Sequence, residues 1–139
     1  MKDKQGAKAS NQGRKFENIV ASQLDIAGAS YDRQFKLLGG SIFGKNKFID
    51  FRVNNFSKYP QGLYLELKFQ DIAGSVEEKM PYTIECIKER YNLPTFLILG
   101  GEGLTEGCLA WTLNQKGGNL VDIMFEQDVT RWVMRNGFN

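Results

Sequence analysis

The stretch Gly62-Leu63-Tyr64-Leu65-Glu66-Leu67-Lys68-Phe69-Gln70 decides how this chain is read. Leu63, Leu65, Leu67 and Phe69 share one face of an extended strand, and Tyr64, Glu66, Lys68 and Gln70 share the other. The polar face is the unusual one. A carboxylate, an ammonium and an amide follow one another at every second residue, so all three project the same way. The preceding run, Lys47 to Val53, reads as a second strand, with Ile49, Phe51 and Val53 as its apolar face and Asp50 opposite, beside Phe48 and Arg52. Pairing the two runs as a hairpin with their apolar faces together brings Asp50 near Glu66 and Lys68. Two carboxylates and a lysine then converge on one side of a sheet.

Length and composition set the bounds. A chain of 139 residues is one domain with room for a core. It is 42% hydrophobic and 24% charged, which is ordinary for a globular protein. A net charge of +2 identifies no partner, since only local clustering of Lys and Arg would point to nucleic acid. No apolar run approaches bilayer length and no signal-peptide pattern opens the chain, so the expectation is a cytoplasmic protein with no membrane partner. Cys86 and Cys108 have neither a disulfide framework nor zinc-ligand spacing, which fits a reducing compartment. Histidine is absent. That removes Ser-His-Asp triads, His-Glu-x-x-His zinc hydrolases and nucleases with a histidine base. Any hydrolysis here is built from carboxylates, lysine and a hard metal ion.

In chain order, residues 1–13 carry three lysines and little apolar anchorage, and read as a flexible basic tail able to touch a phosphate backbone. Residues 14–139 form the single domain. Phe16, Ile19, Val20, Leu24 and Ala27 repeat at helical spacing over Arg14 to Ala27, with Gly28 as the stop and Glu17 flanking the stripe. Tyr31 to Leu38 alternates as a first strand with Tyr31, Arg33, Phe35 and Leu37 on one side, and glycines mark the loop that follows. Ser75 and Glu78 have capping-box spacing, and a helical stripe runs from Val76 to Tyr91. Pro81 interrupts it, so the helix either kinks there or starts near Met80. Thr95 to Leu99 reads as a buried strand and Gly100 to Gly107 as a flexible loop without the Gly-Lys-Ser/Thr ending of a phosphate-cradling loop. Cys108 to Leu113 and Leu120 to Phe125 read as short strands. A closing helix carries Phe125, Val129, Trp132 and Val133 and ends at Gly137. The economical architecture is α/β (α+β), one mixed sheet of about five strands flanked by helices.

Phosphodiester hydrolysis needs a nucleophilic water, charge relief at phosphorus and help for the departing oxygen. A divalent ion held by two carboxylates supplies all three. Mg²⁺ prefers oxygen ligands and keeps several waters, so Asp50, Glu66 and a main-chain carbonyl suit it. Lys68 then orients or deprotonates the water, Gln70 hydrogen-bonds nucleophile or substrate, and Glu17 binds metal through water or serves a second ion. The plainer alternative is that Glu66-x-Lys68 is a salt-bridged pair solubilising an exposed strand face. Asp50 on a neighbouring strand, with fifteen residues between it and Glu66, argues against it, as does the apolar density flanking the cluster.

Glu17 in an opening helix, then Asp50, then Glu66-Leu67-Lys68-Phe69-Gln70 before another helix, resembles the PD-(D/E)XK nuclease superfamily. Gly13-Arg14-Lys15-Phe16-Glu17 also looks like its first-helix pattern, and Gln70 to Lys79 is similar to small restriction-type and phage endonucleases. The resemblance runs from about Arg14 to Leu99 and implies a restriction-endonuclease-like α-β-β-β-α-β core. It implies that Asp50 and Glu66 bind Mg²⁺ (Mn²⁺ substituting), that Lys68 assists the water, and that Glu17 completes the metal site. Ile49 stands where the motif's name has proline.

The expected function is thus a Mg²⁺-dependent DNA endonuclease. Lys36, Lys45, Lys47, Arg52 and Lys58, in or near the loops flanking the site, are phosphate-binding candidates, and so is Lys79 early in the second helix. A chain this short lacks a separate recognition domain, so it is directed by nucleic-acid structure or gains specificity from a protein partner. A Holliday junction resolvase of the same fold, working as a homodimer because two strands are cut symmetrically, is the close alternative. A non-catalytic nucleic-acid-binding module is the alternative from another class, and intact Asp50, Glu66 and Lys68 speak against it.

Overall fold

The computed structural model describes residues 4–72 and 75–135. Helix α1 spans Lys4–Ile26, followed by strands β1 (Tyr31–Leu37), β2 (Lys47–Val53) and β3 (Leu63–Phe69). Helix α2 (Ser75–Glu89) leads to β4 (Thr95–Gly100), α3 (Glu106–Leu113) to β5 (Leu120–Phe125), and α4 (Glu126–Arg135) closes the chain. The five strands lie in chain order in one sheet. β1–β2 and β2–β3 pair antiparallel, and β3–β4 and β4–β5 pair parallel. This is the mixed α/β sheet expected from the sequence, with a restriction-endonuclease-like α-β-β-β-α-β order.

Two apolar layers cover the sheet. Phe16, Val20 and Leu24 of α1 and Val129 and Val133 of α4 pack with Phe51, Val53, Leu63, Leu65 and Leu67 on one side. Met80, Ile84 and Ile87 of α2 pack with Ile49, Tyr64, Leu97 and Leu99 on the other, where Cys108 and Leu109 of α3 join them. The alternation of β3 is kept: its leucines face α1 and Tyr64 faces α2. Each side thus takes every second residue of the strand, as a sheet sandwiched between helices requires.

Three local expectations are corrected. The opening helix begins at Lys4, not Arg14, so residues 4–13 of the expected tail lie in α1. Lys, Gln and Ala in this stretch favour helix enough to carry it through Gly6 and Gly13. Its end was legible: Gly28 has φ +80, its N–H donates to Asp25 O at 3.1 Å, and Ala29 N–H donates to Leu24 O at 2.9 Å. That reciprocal pattern needs a left-handed residue, which glycine supplies without strain.

The second correction is Cys108 to Leu113, expected as a strand and found in α3. Thr105 caps the helix by accepting the Cys108 N–H at 3.1 Å. A parallel step from β4 to β5 needs a crossover long enough to return the chain, and a helix is the usual solution. The third concerns α2, which starts at Ser75 and runs through Pro81, so the later start near Met80 does not hold. The expected stop at Gly137 lies outside the described residues.

Candidate active site

The candidate site lies where β2 and β3 part. Their ladder pairs Val53 with Leu63, Arg52 with Tyr64 and Phe51 with Leu65, and then stops. On the next rung Asp50 would face Glu66. Instead the Asp50 carboxylate reaches across and accepts the main-chain N–H of Leu67 at 2.8 Å. A side chain has replaced a backbone partner, so the acid is held in the seam and not on one flat face.

Both β2 and its neighbour β1 turn over at this rung. Ile49 packs in the α2 layer, whereas Phe51 and Val53 pack in the α1 layer. Opposite them, Gln34 has φ +51, the only left-handed non-glycine among the described residues. Before it, Tyr31 belongs to the α1 layer and the Arg33 guanidinium lies 5.7 Å from the Phe51 ring centroid. Beyond it, Phe35 and Leu37 belong to the α2 layer. Period-two patterning predicts Tyr31, Arg33, Phe35 and Leu37 on one face, and Ile49, Phe51 and Val53 likewise. Strict alternation fails because one residue on each strand is rotated out of the pleat.

On the α1 side, Gln34 Nε2 donates to Glu17 Oε1 at 2.5 Å and to Asp50 Oδ1 at 3.3 Å. Arg33 pairs with Glu17, its Nε donating to Oε2 at 3.0 Å. Glu17 is therefore tied to Asp50 through the Gln34 amide. Glu17, Gln34 and Asp50 line a cleft of about 430 Å³ with Gly13, Arg14, Phe16, Leu67 and Phe69. Sequence patterning missed Arg33 and Gln34, which look like ordinary edge-strand residues until the turn-over places them beside α1.

On the α2 side, Glu66 is 2% exposed. Its Oε1 lies 3.6 Å from Lys47 Nζ and 4.0 Å from Lys68 Nζ. Among the described residues its Oε2 has no hydrogen-bond partner in bonding geometry, and neither does the buried Tyr91 hydroxyl, which senses the Glu66 charge. The Tyr91 phenol is pushed up, first by burial and then by the Glu66 charge. Asp50 titrates well above the usual carboxylate range, at about 7. Burial is the largest cause, the Glu66 carboxylate the next, and the Leu67 N–H and the Lys68 charge oppose them. Asp50, Glu66 and Lys68 are thus close enough to act on one another's charge.

The remaining candidates fall elsewhere. The Gln70 side chain is buried, with Oε1 accepting the Glu77 N–H at 3.1 Å and Nε2 donating to Gly103 O at 3.5 Å. It caps the start of α2, and both ends of its amide are used. Lys47 lies against Glu66 and over the Tyr82 ring at 5.9 Å. Arg52 lies over Phe35 at 5.3 Å and donates to Gln61 O at 3.4 Å. Lys58 is exposed in the turn that closes the far end of the β2–β3 hairpin, three or more rungs from Asp50, and so does not flank the site. Lys36, Lys45 and Lys79 are exposed.

Among the described residues, no group of three acidic, Cys or His side chains is gathered tightly enough to hold a metal ion. Two carboxylates suffice where main-chain carbonyls and water complete the shell. A buried carboxylate oxygen without a donor, Glu66 Oε2, and an acid with a raised pKa beside it are what a hard cation would satisfy. The donor set fits.

The mixed sheet, with an acid set into its seam and a Glu-x-Lys strand beside it, defines a restriction-endonuclease-like domain. A family model described as a PD-(D/E)XK nuclease superfamily domain matches residues 8–133, and the chain belongs to that superfamily. This supports a nuclease as the general class of enzyme. Neither the curated proteins nor the solved structures contain a match. Among the described residues, no helix is long and apolar enough to cross a membrane.

Proposed function

We propose that the chain is a Mg²⁺-dependent DNA endonuclease whose site is Asp50, Glu66 and Lys68, with Glu17 behind them. The observation that carries this reading is Asp50 in the β2–β3 seam, held by the Leu67 N–H and raised to about 7 beside Glu66. Two acids that repel in an apolar setting are retained at a cost, and a cation between them offsets it.

Asp50 and Glu66 would hold the ion. When bound, it supplies electrostatic stabilisation of the charge that builds on the phosphate and the departing oxygen. The chain's own residues do the rest. The Leu67 N–H fixes Asp50, and Gln34 fixes its second oxygen to the Glu17 shell. Lys68 is tethered by Glu66 but remains partly exposed, so its ammonium can orient the attacking water and offset charge on the phosphate. Lys36, Lys45 and Lys79 are free of the packing that occupies Lys47 and Arg52, and serve as contacts to flanking phosphates.

Supercoiled DNA should be nicked with Mg²⁺ or Mn²⁺ and spared with chelator. Glu66→Ala and Lys68→Ala should each abolish nicking while the protein stays folded. Full activity in both variants would overturn the site. Four-way junctions cut in preference to linear duplex would make the enzyme a resolvase.

A further inference from the structure

Phe43 is 73% exposed at the tip of the loop between β1 and β2. The loop is built and not slack. Ser41 is 2% exposed, and its Oγ accepts the N–H groups of Phe43 and Lys45, each at 3.1 Å. Ser41 N–H donates to Lys45 O at 3.0 Å, and Gly39 N–H donates to Asn46 Oδ1 at 3.1 Å. These bonds fix the backbone at the tip, so the position of Phe43 is set.

That ring is stacked on Tyr82 of α2, with centroids 5.8 Å apart and planes at 20°. Tyr82 in turn lies 5.9 Å beneath the Lys47 ammonium, which is 3.6 Å from Glu66 Oε1. The aromatic pair therefore connects to the acid of the site through one shared lysine. Lys45 is exposed beside Phe43, and Lys36 is exposed on the rung that pairs with the exposed Phe48.

We propose that the Phe43–Tyr82 stack is a platform for an unpaired nucleobase of the substrate, placed next to the Glu66–Lys68 end of the site. The inference rests on the nuclease reading above and deepens it by naming the substrate's local structure. A flat ring with one face covered and the other open accepts a base by stacking, and every base has a face to offer. The exposed Lys45 ammonium in the same loop matches a phosphate flanking such a base. A protein partner would favour a continuous apolar patch, whereas the rings here alternate with lysines. Bases inside a duplex are already stacked on their neighbours, so the platform favours single-stranded, frayed or branch-point nucleotides.

The test uses oligonucleotides carrying one 2-aminopurine, single-stranded, at a four-way branch point, or paired in linear duplex, in chelator so that nothing is cut. The full chain should quench the unpaired probes on binding. Phe43→Ala should weaken binding to them by about tenfold while leaving the duplex affinity unchanged. Phe43→Tyr should restore binding. Because Phe43 is exposed, the alanine variant keeps the fold. Equal binding by wild type and Phe43→Ala overturns the inference, as does an equal loss on duplex. A change of mass in solution caused by Phe43→Ala also overturns it, by making the ring a contact between copies of the chain. The nuclease reading then survives if Mg²⁺-dependent nicking of plasmid persists. Wild type that binds no nucleic acid overturns both.

Discussion

The Asp50 carboxylate accepts the Leu67 N–H at 2.8 Å across the line where β2 stops pairing with β3. One bond thus does two things. It satisfies a backbone donor that the splayed strands would otherwise leave open, and it holds an acid beside Glu66 with little water to screen them.

Asp50 alone should make the protein less stable as pH rises. Its folded pKa of about 7 lies above the ordinary aspartate value, so the folded state prefers the protonated acid. That preference is fully expressed below about pH 4 and is lost as pH climbs through about 7. Wild type in chelator should therefore unfold at lower urea at pH 8 than at pH 5, by roughly 2–4 kcal/mol from this group. Asp50→Asn keeps an acceptor for the Leu67 N–H and should flatten this part of the profile while abolishing cleavage. An Asp50→Asn profile that superimposes on wild type would remove Asp50 as the cause.

A cation that binds Asp50 must displace its proton. Thermal stabilisation by Mg²⁺ or Mn²⁺ should consequently be larger at pH 8 than at pH 6, on either side of the folded pKa of about 7. Because Mn²⁺ binding can be followed by its own magnetic signal, this outcome does not depend on activity. Metal stabilisation that is independent of pH would place the ion elsewhere.

Glu66 should set the Asp50 titration. Its carboxylate is the second-largest cause of the raised value, after burial. Glu66→Gln should move the Asp50 carboxyl resonance to a lower midpoint, while burial keeps that midpoint above an exposed aspartate. The same change leaves Lys47 and Lys68 without their shared partner, at a cost of about 1–2 kcal/mol. An unmoved midpoint would mean that the two acids do not sense one another.

How much of this could be read from the chain follows from where the pattern is local. Gly62 to Gln70 kept its alternation, because β3 is paired on both edges and no residue of it leaves the pleat. Glu66 and Lys68 were legible for that reason. Gln34 was not, since nothing in Tyr31 to Leu37 shows that one residue leaves the pleat. Gln70 has the right spacing to join the site, but the α2 N-terminus offered its amide a closer donor, Glu77 N–H at 3.1 Å. Cys108 to Leu113 is a short apolar run that periodicity alone cannot assign, and the parallel crossover decided it.

Gln34 gives the sharpest separation of backbone from side chain. At φ +51 a glutamine is held in a region that costs L-residues about 1 kcal/mol, and glycine adopts it freely. Gln34→Gly should therefore fold with stability equal to wild type or up to about 1 kcal/mol above it. It also removes the amide that links Glu17 Oε1 to Asp50 Oδ1. Loss of that link should raise the Mg²⁺ concentration needed for half-maximal cleavage by roughly tenfold, the size of effect usual for residues that orient metal ligands. Gln34→Val should be destabilised instead, because a β-branched side chain is poorly tolerated at positive φ. If Gln34→Gly were as unstable as Gln34→Val, the left-handed turn would be incidental. If its Mg²⁺ requirement matched wild type, the amide bridge would have no part in setting the acids.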